Sequence, residues 1–135
     1  MEIYHLKDNI KVFCVRAKSF PDGIMQAHDT LYSLVTFSSQ RRHFGISQPV
    51  NGVIVYIAAA EELHGGEAEK FGCETFVVKS GNYISRLIKD YANNIRQVNA
   101  TFQKFIARPD IDPKGCCVEW YLNEKDVRCM VRLTK

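Results

Sequence analysis

One order of elements can be traced twice along this chain: strand, helix, strand, strand. A duplicated order restricts architecture because the same set of apolar faces must be buried twice. In the first pass, Ile10 to Ala17 reads I-K-V-F-C-V-R-A, rich in β-branched and aromatic residues, and is predicted as a strand. Phe20-Pro21-Asp22-Gly23 punctuates it, with Asp22 as the expected N-cap of a helix. The apolar positions Ile24, Ala27, Leu31, Leu34 and Val35 carry that helix to about Phe37. Ser38 to His43 is polar and basic, Phe44 to Ser47 a short strand, Pro49 to Gly52 a turn, and Val53 to Ala58 a strand.

The second pass follows a charged break from Glu61 to Gly72. Glu74 to Val78 is strand-like and continues, past a bulge or turn at Ser80-Gly81-Asn82, into Tyr83 to Ile88. Asn93 or Asn94 caps a second helix, whose residues Ile95, Val98, Phe102, Phe105 and Ile106 keep amphipathic spacing. Pro109, Pro113 and Gly115 end it, and Cys116 to Leu122 and Val127 to Leu133 form a hairpin. The expected fold is α+β: a tandem strand-helix-strand-strand repeat making an antiparallel sheet of six strands, with two helices on one face. The other face is then solvated, paired with a partner, or hollowed into a binding site.

Composition narrows the function classes. At 135 residues the chain suits a single domain, 1-135, with a hydrophobic core. The longest apolar run, Val53 to Ala60, is far short of the roughly 20 residues a membrane helix needs. Met1 to His5 lacks the basic and apolar regions of a secretory signal, so a cytoplasmic location and no membrane partner are expected. Five cysteines with no C-x-x-C pair argue against a disulfide framework or zinc site; they read as small hydrophobes in a reducing compartment. His64 stands among Glu61, Glu62, Glu67 and Glu69 without a second histidine, so no metal is expected, and no motif calls for a cofactor. A net charge of +3 and the loop cluster Arg41-Arg42-His43 are too little for a nucleic-acid surface.

The strand faces single out one acid. A hairpin loop centred on Glu124-Lys125 would pair Leu122 with Val127, Trp120 with Cys129 and Val118 with Val131 on the core face. Glu119 and Tyr121 would then project away from the helices, beside Arg128, Met130 and Arg132. In the strand from Val53 both faces are apolar, so one apolar face has no helix to explain it. Tyr56 belongs to that strand, and Tyr83 and Tyr121 would extend an aromatic surface if they share its side. Aromatic faces around one carboxylate suit an amphipathic cation. The plainer alternative pairs Glu119 with Arg128 or Arg132 across strands, puts Tyr56 and Tyr83 in the core with bonded hydroxyls, and makes Trp120 structural.

The chain resembles the gyrase-inhibitor-like effector-binding domain, the ligand-sensing module of many AraC-type and MerR-type bacterial transcription regulators. The resemblance is carried by the Val12 to Ala17 strand and its helix, the run Phe76-Val77-Val78-Lys79-Ser80-Gly81-Asn82-Tyr83-Ile84, the second helix, and Val118-Glu119-Trp120-Tyr121-Leu122. Lys79 stands where that family usually has proline. The resemblance implies a tandem repeat on a curved sheet, with Glu119 as the acid meeting cationic ligands and Tyr56, Tyr83 and Tyr121 as aromatic walls. It also implies that the sensing module uses the whole chain, leaving no helix-turn-helix, so any regulation needs a partner; the partners expected are a homodimer copy or a separate DNA-binding protein. Two functions follow as expectations: a stand-alone small-molecule binding module for cationic, amphipathic or aromatic compounds, or a hydrolase of reactive small molecules using Glu119 with a tyrosine such as Tyr83 or Tyr121 as proton donor.

Overall fold

A computed structural model describes residues 1–38 and 40–135. The strands are β1 (Glu2–Leu6), β2 (Ile10–Arg16), β3 (His43–Val50), β4 (Val53–Glu61), β5 (Glu74–Val78), β6 (Gly81–Ile88), β7 (Cys117–Tyr121) and β8 (Val127–Arg132). The helices are α1 (Ile24–Leu34), the short α2 (Glu67–Lys70) and α3 (Ile95–Ile106). All strands pair antiparallel in one sheet of order β1-β6-β8-β7-β3-β4-β2-β5. The α+β class and the repeat are as expected, with α1 lying on β2 and β4 and α3 on β6 and β8. No helix among the described residues is long and apolar enough to cross a membrane.

The sheet has eight strands where the sequence suggested six. Glu2–Leu6 is a strand, and β5 and β6 are separate strands divided at Gly81, whose φ of 138° is closed to most side chains. The two leading strands are exchanged between halves: β1 pairs with β6, and β5 pairs with β2. This exchange forces the sheet to curl. In the sheet order β1 and β2 are six strands apart, ~29 Å if flat. Leu6 and Ile10 are joined by only four Cα steps, ~15 Å at most. The same holds for β5 and β6, and the two crossings are tied where Asn9 Oδ1 accepts the Ser80 N–H at 2.7 Å.

Curling explains the apolar face that lacks a helix. Val12, Phe44, Ile46, Val118 and Met130 are almost fully buried there, closed in by Leu6, Ile10, Val78 and Tyr83. On the helix side, Phe13, Ala58 and Ala60 of the sheet pack beneath Ala27 and Leu31 of α1. Ile84, Val127, Cys129 and Val131 pack beneath Val98 and Phe105 of α3. All five cysteines are free thiols.

Two local expectations are corrected. Gly23, not Asp22, holds the N-cap of α1, because the preceding turn brings the Ser19 carbonyl to within 2.7 Å of where a Cβ at 23 would stand. The helix stops at Leu34, since Val35 is already extended. The β7–β8 register is also shifted by one residue: Trp120 faces Arg128, Glu119 faces Cys129, and Tyr121 faces Val127. Leu122 belongs to the loop, where its N–H donates to the Asp126 carbonyl at 3.0 Å. The Asn123 Oδ1 accepts the N–H groups of Lys125 and Asp126, fixing a longer turn than expected. A one-residue slip exchanges the faces of a strand, so Glu119 and Tyr121 point toward the helices, not away from them.

Candidate functional site

Glu119 sits mid-strand on β7, with Gly45 of β3 directly opposite and Ala58 of β4 beyond. Gly45 has no side chain to fill the space between these strands. Tyr56 of β4 therefore reaches across β3, and its hydroxyl donates to Glu119 Oε1 at 2.9 Å. A Cβ at position 45 would collide with the Tyr56 hydroxyl and come within 2.5 Å of Glu119 Oε1. Tyr121, two residues along β7 on the same face, donates to the same oxygen at 3.1 Å. The two hydroxyl oxygens are 3.4 Å apart.

His28 of α1 completes the cluster, its Nε2 lying 2.7 Å from the Tyr56 hydroxyl. Tyr56 has one proton and gives it to Glu119, so Nε2 carries a hydrogen and donates to the Tyr56 oxygen. The chain runs from His28 through Tyr56 to Glu119, where Tyr121 joins it. Aromatic rings continue outward: Phe20 beside Tyr56 at 6.1 Å, Tyr91 beside Tyr121 at 5.4 Å, and Tyr32 beside His28 at 6.0 Å. At the far end, Phe37 stacks on His43 at 4.7 Å.

Among the described residues, Glu119 is an acid without an ion-pair partner. Glu119 keeps partial solvent contact, yet protein surrounds it closely enough that desolvation raises its pKa, while the bonds from Tyr56 and Tyr121 pull it back. Burial, with a smaller contribution from His43, brings His28 down to about 4, so it is neutral at pH 7. Desolvation and the nearby carboxylate push the Tyr56 and Tyr121 phenols up, keeping both as donors. The arginines proposed as partners are engaged elsewhere. Arg128 pairs with Glu2 and lies over the Tyr4 ring, and Arg132 bonds Asp112 at 3.0 Å and the Ser80 carbonyl at 2.9 Å. No lysine or arginine among the described residues forms an ion pair with Glu119.

Of the four residues singled out from sequence, the fold brings Glu119, Tyr56 and Tyr121 together. Tyr83 lies on the opposite face, its hydroxyl donating to the Lys79 carbonyl at 2.5 Å. His64 and its glutamates form no metal-ligating group among the described residues. Four contributors escaped the sequence reading. His28 and Tyr32 are four apart beside the Ala27–Leu31 stripe, so one flank of α1 was recognisable as aromatic. Gly45 inside a strand signals close approach of another group. Tyr91, in the turn before α3, had no such signal.

No protein-family model matches the chain, and no curated protein matches its sequence. Solved structures do match its fold. An integron cassette protein from the mobile metagenome of Vibrio cholerae aligns over 98% of this chain and 94% of its own, with a TM-score of 0.73 and 13% identity. A hydrolase from Listeria innocua aligns over 98% and 90%, with a TM-score of 0.60 and 10% identity. The protein SAV2435, solved bound to tetraphenylphosphonium, aligns over 97% and 93%, with a TM-score of 0.64 and 9% identity. At these identities what is shared is the fold.

Proposed function

We propose that the chain binds amphipathic organic cations on the helix side of the sheet, with Glu119 as counter-charge and Tyr56 and Tyr121 as donors and aromatic walls. The observation that carries this reading is a desolvated carboxylate, bonded by two neutral phenols and ringed by aromatic side chains, with no ion-pair partner among the described residues. Such a carboxylate is costly to ionise alone, and a bound cation relieves that cost through the opposite charge and through the ring faces. The likeness to SAV2435 supports a cationic aromatic ligand. Entry of a bulky ligand requires His28 to part from Tyr56, which α1 permits because only Ala27 and Leu31 anchor it deeply. In this reading the chain is an effector-binding or sequestering module of gyrase-inhibitor-like type.

The test is titration of tetraphenylphosphonium into the wild type and Glu119→Gln across pH. A cation lowers the Glu119 pKa, so binding releases a proton, and affinity climbs with pH by up to about tenfold per unit below the free-state pKa. Glu119→Gln is expected to bind at least about tenfold more weakly at neutral pH and to lose this pH dependence. Equal binding by both proteins, or none by the wild type, sinks the proposal.

A second reading, hydrolysis of reactive small molecules, draws support from the His28–Tyr56–Glu119 chain, a continuous path for a proton, and from the likeness to the Listeria hydrolase. Mass spectrometry after incubation with epoxides and activated cyclopropanes separates the two: turnover that disappears in Glu119→Gln would favour the enzyme.

A further inference from the structure

The concave, helix-free face carries a groove of about 310 Å³, within the range of small-molecule sites. It is separated from Glu119 by the thickness of the sheet. Its wall is apolar and aromatic, formed by Phe76 and Val78 of β5, Tyr83 of β6 and Val118 of β7. All its charged lining residues are basic: Lys79, Lys114 and Arg132. Asp112 stands behind Arg132 and offsets one of these charges. Lys79 and Lys114 are exposed and form no ion pair among the described residues, leaving a surplus of two positive charges at the rim.

The construction of the rim is specific. Gly81 leaves room for the Arg132 guanidinium against the backbone, where a Cβ would lie 3.0 Å from its Nε. The Ser80 carbonyl and Asp112 then hold that guanidinium in place. The Tyr83 hydroxyl is turned away into the Lys79 carbonyl, so its ring presents an apolar surface to the groove. At the floor, the Cys116 thiol donates to Gln48 Oε1 at 3.0 Å, joining the start of β7 to β3. A smaller extension, lined by Arg16, Glu74 and Ile57, continues past Gln48 and Phe76.

We propose that this groove is a second binding site, for amphipathic organic anions: an aromatic or aliphatic body on Tyr83, Val118 and Phe76, with a carboxylate or sulfonate between Lys79 and Lys114. A ligand anion supplies the charge these two lysines lack, and its apolar part lies on half-buried Phe76, above Val78, Tyr83 and Val118, which the fold already buries. An organic cation is disfavoured here by the same charges. The site is independent of the Glu119 reading, being on the other face with other residues.

The experiment is titration of naphthalene-1-carboxylate and of its neutral amide into the full chain, followed by backbone amide shifts. The carboxylate is expected to saturate, to bind about tenfold tighter than the amide, and to move Tyr83 and Val118. Lys79→Glu/Lys114→Glu should weaken the carboxylate by about tenfold or more, while Glu119→Gln leaves it unchanged. Both lysines are exposed, so the fold should survive; Lys79→Gln/Lys114→Gln, with a smaller loss, is the milder check. The proposal is overturned by no saturation at millimolar ligand, equal affinity for acid and amide, no effect of charge reversal, or shifts confined to the helix side.

Discussion

Gly45 is what lets two strands that are not neighbours share one carboxylate. Its missing side chain is the space through which Tyr56 crosses β3 to Glu119. Gly45→Ala is expected to turn Tyr56 aside and destabilise the fold by about 1–3 kcal/mol, as overpacking does. Because the Tyr56 bond lowers the Glu119 pKa, its loss should raise that pKa further, which a carboxyl titration by NMR reads directly. An unchanged Glu119 titration would show that Gly45 has no part in the arrangement. His43 poses the opposite problem: it is fully buried on the same face, and both ring nitrogens lack partners. Burial, followed by Arg41, brings its pKa down from 6.5 to about 4. The unfolded chain therefore takes up this proton first. The His43 contribution to stability is complete above pH 6.5 and falls away toward pH 4, by about 3 kcal/mol. Urea unfolding of His43→Leu should show a shallower loss over that window. An identical pH profile for the two proteins would refute the assignment.

Among the elements, β1 has the largest effect for its length. It closes the edge of β6, buries Leu6, and brings Glu2 and Tyr4 to Arg128. Removing residues 1–7 should cost at least about 2 kcal/mol from Leu6 alone, and should leave the β6 amides exchanging faster with solvent than those of β3. Retained protection across β6 would mean that β1 is dispensable. The strand was not legible in E-I-Y-H-L, five residues whose partner lies some eighty positions away. Helices α1 and α3 were legible because their spacing is local, although the true N-cap of α1 was hidden in the tight packing of Gly23. The β7–β8 hairpin was recognisable as a hairpin, but its register was not. Alternation shows that Glu119 and Trp120 face opposite sides without showing which side is which. The asparagine-closed loop decided that, and with it the surroundings of Glu119.

At the scale of the whole molecule, the curled sheet separates two chemistries. The helix side holds an acid among aromatic rings, and the concave side holds an apolar groove with a basic rim. A net charge of +3 describes neither, because the field on each side of the sheet is set by the charges nearest to it. By itself the amino-acid order determined the α+β class, the repeated strand-helix-strand-strand units and the apolar character of both faces of β4. These depend on residue type and short-range periodicity, which a linear reading retains. Only the tertiary structure decided that β1 and β5 are exchanged between halves, that Tyr83 stands on the opposite face from Glu119, that Arg128 and Arg132 are held elsewhere, and that Gly45 and His28 complete the cluster. Each of those outcomes depends on strand register or on pairing between distant segments, and a shift of one residue is enough to move a side chain to the other face of the sheet.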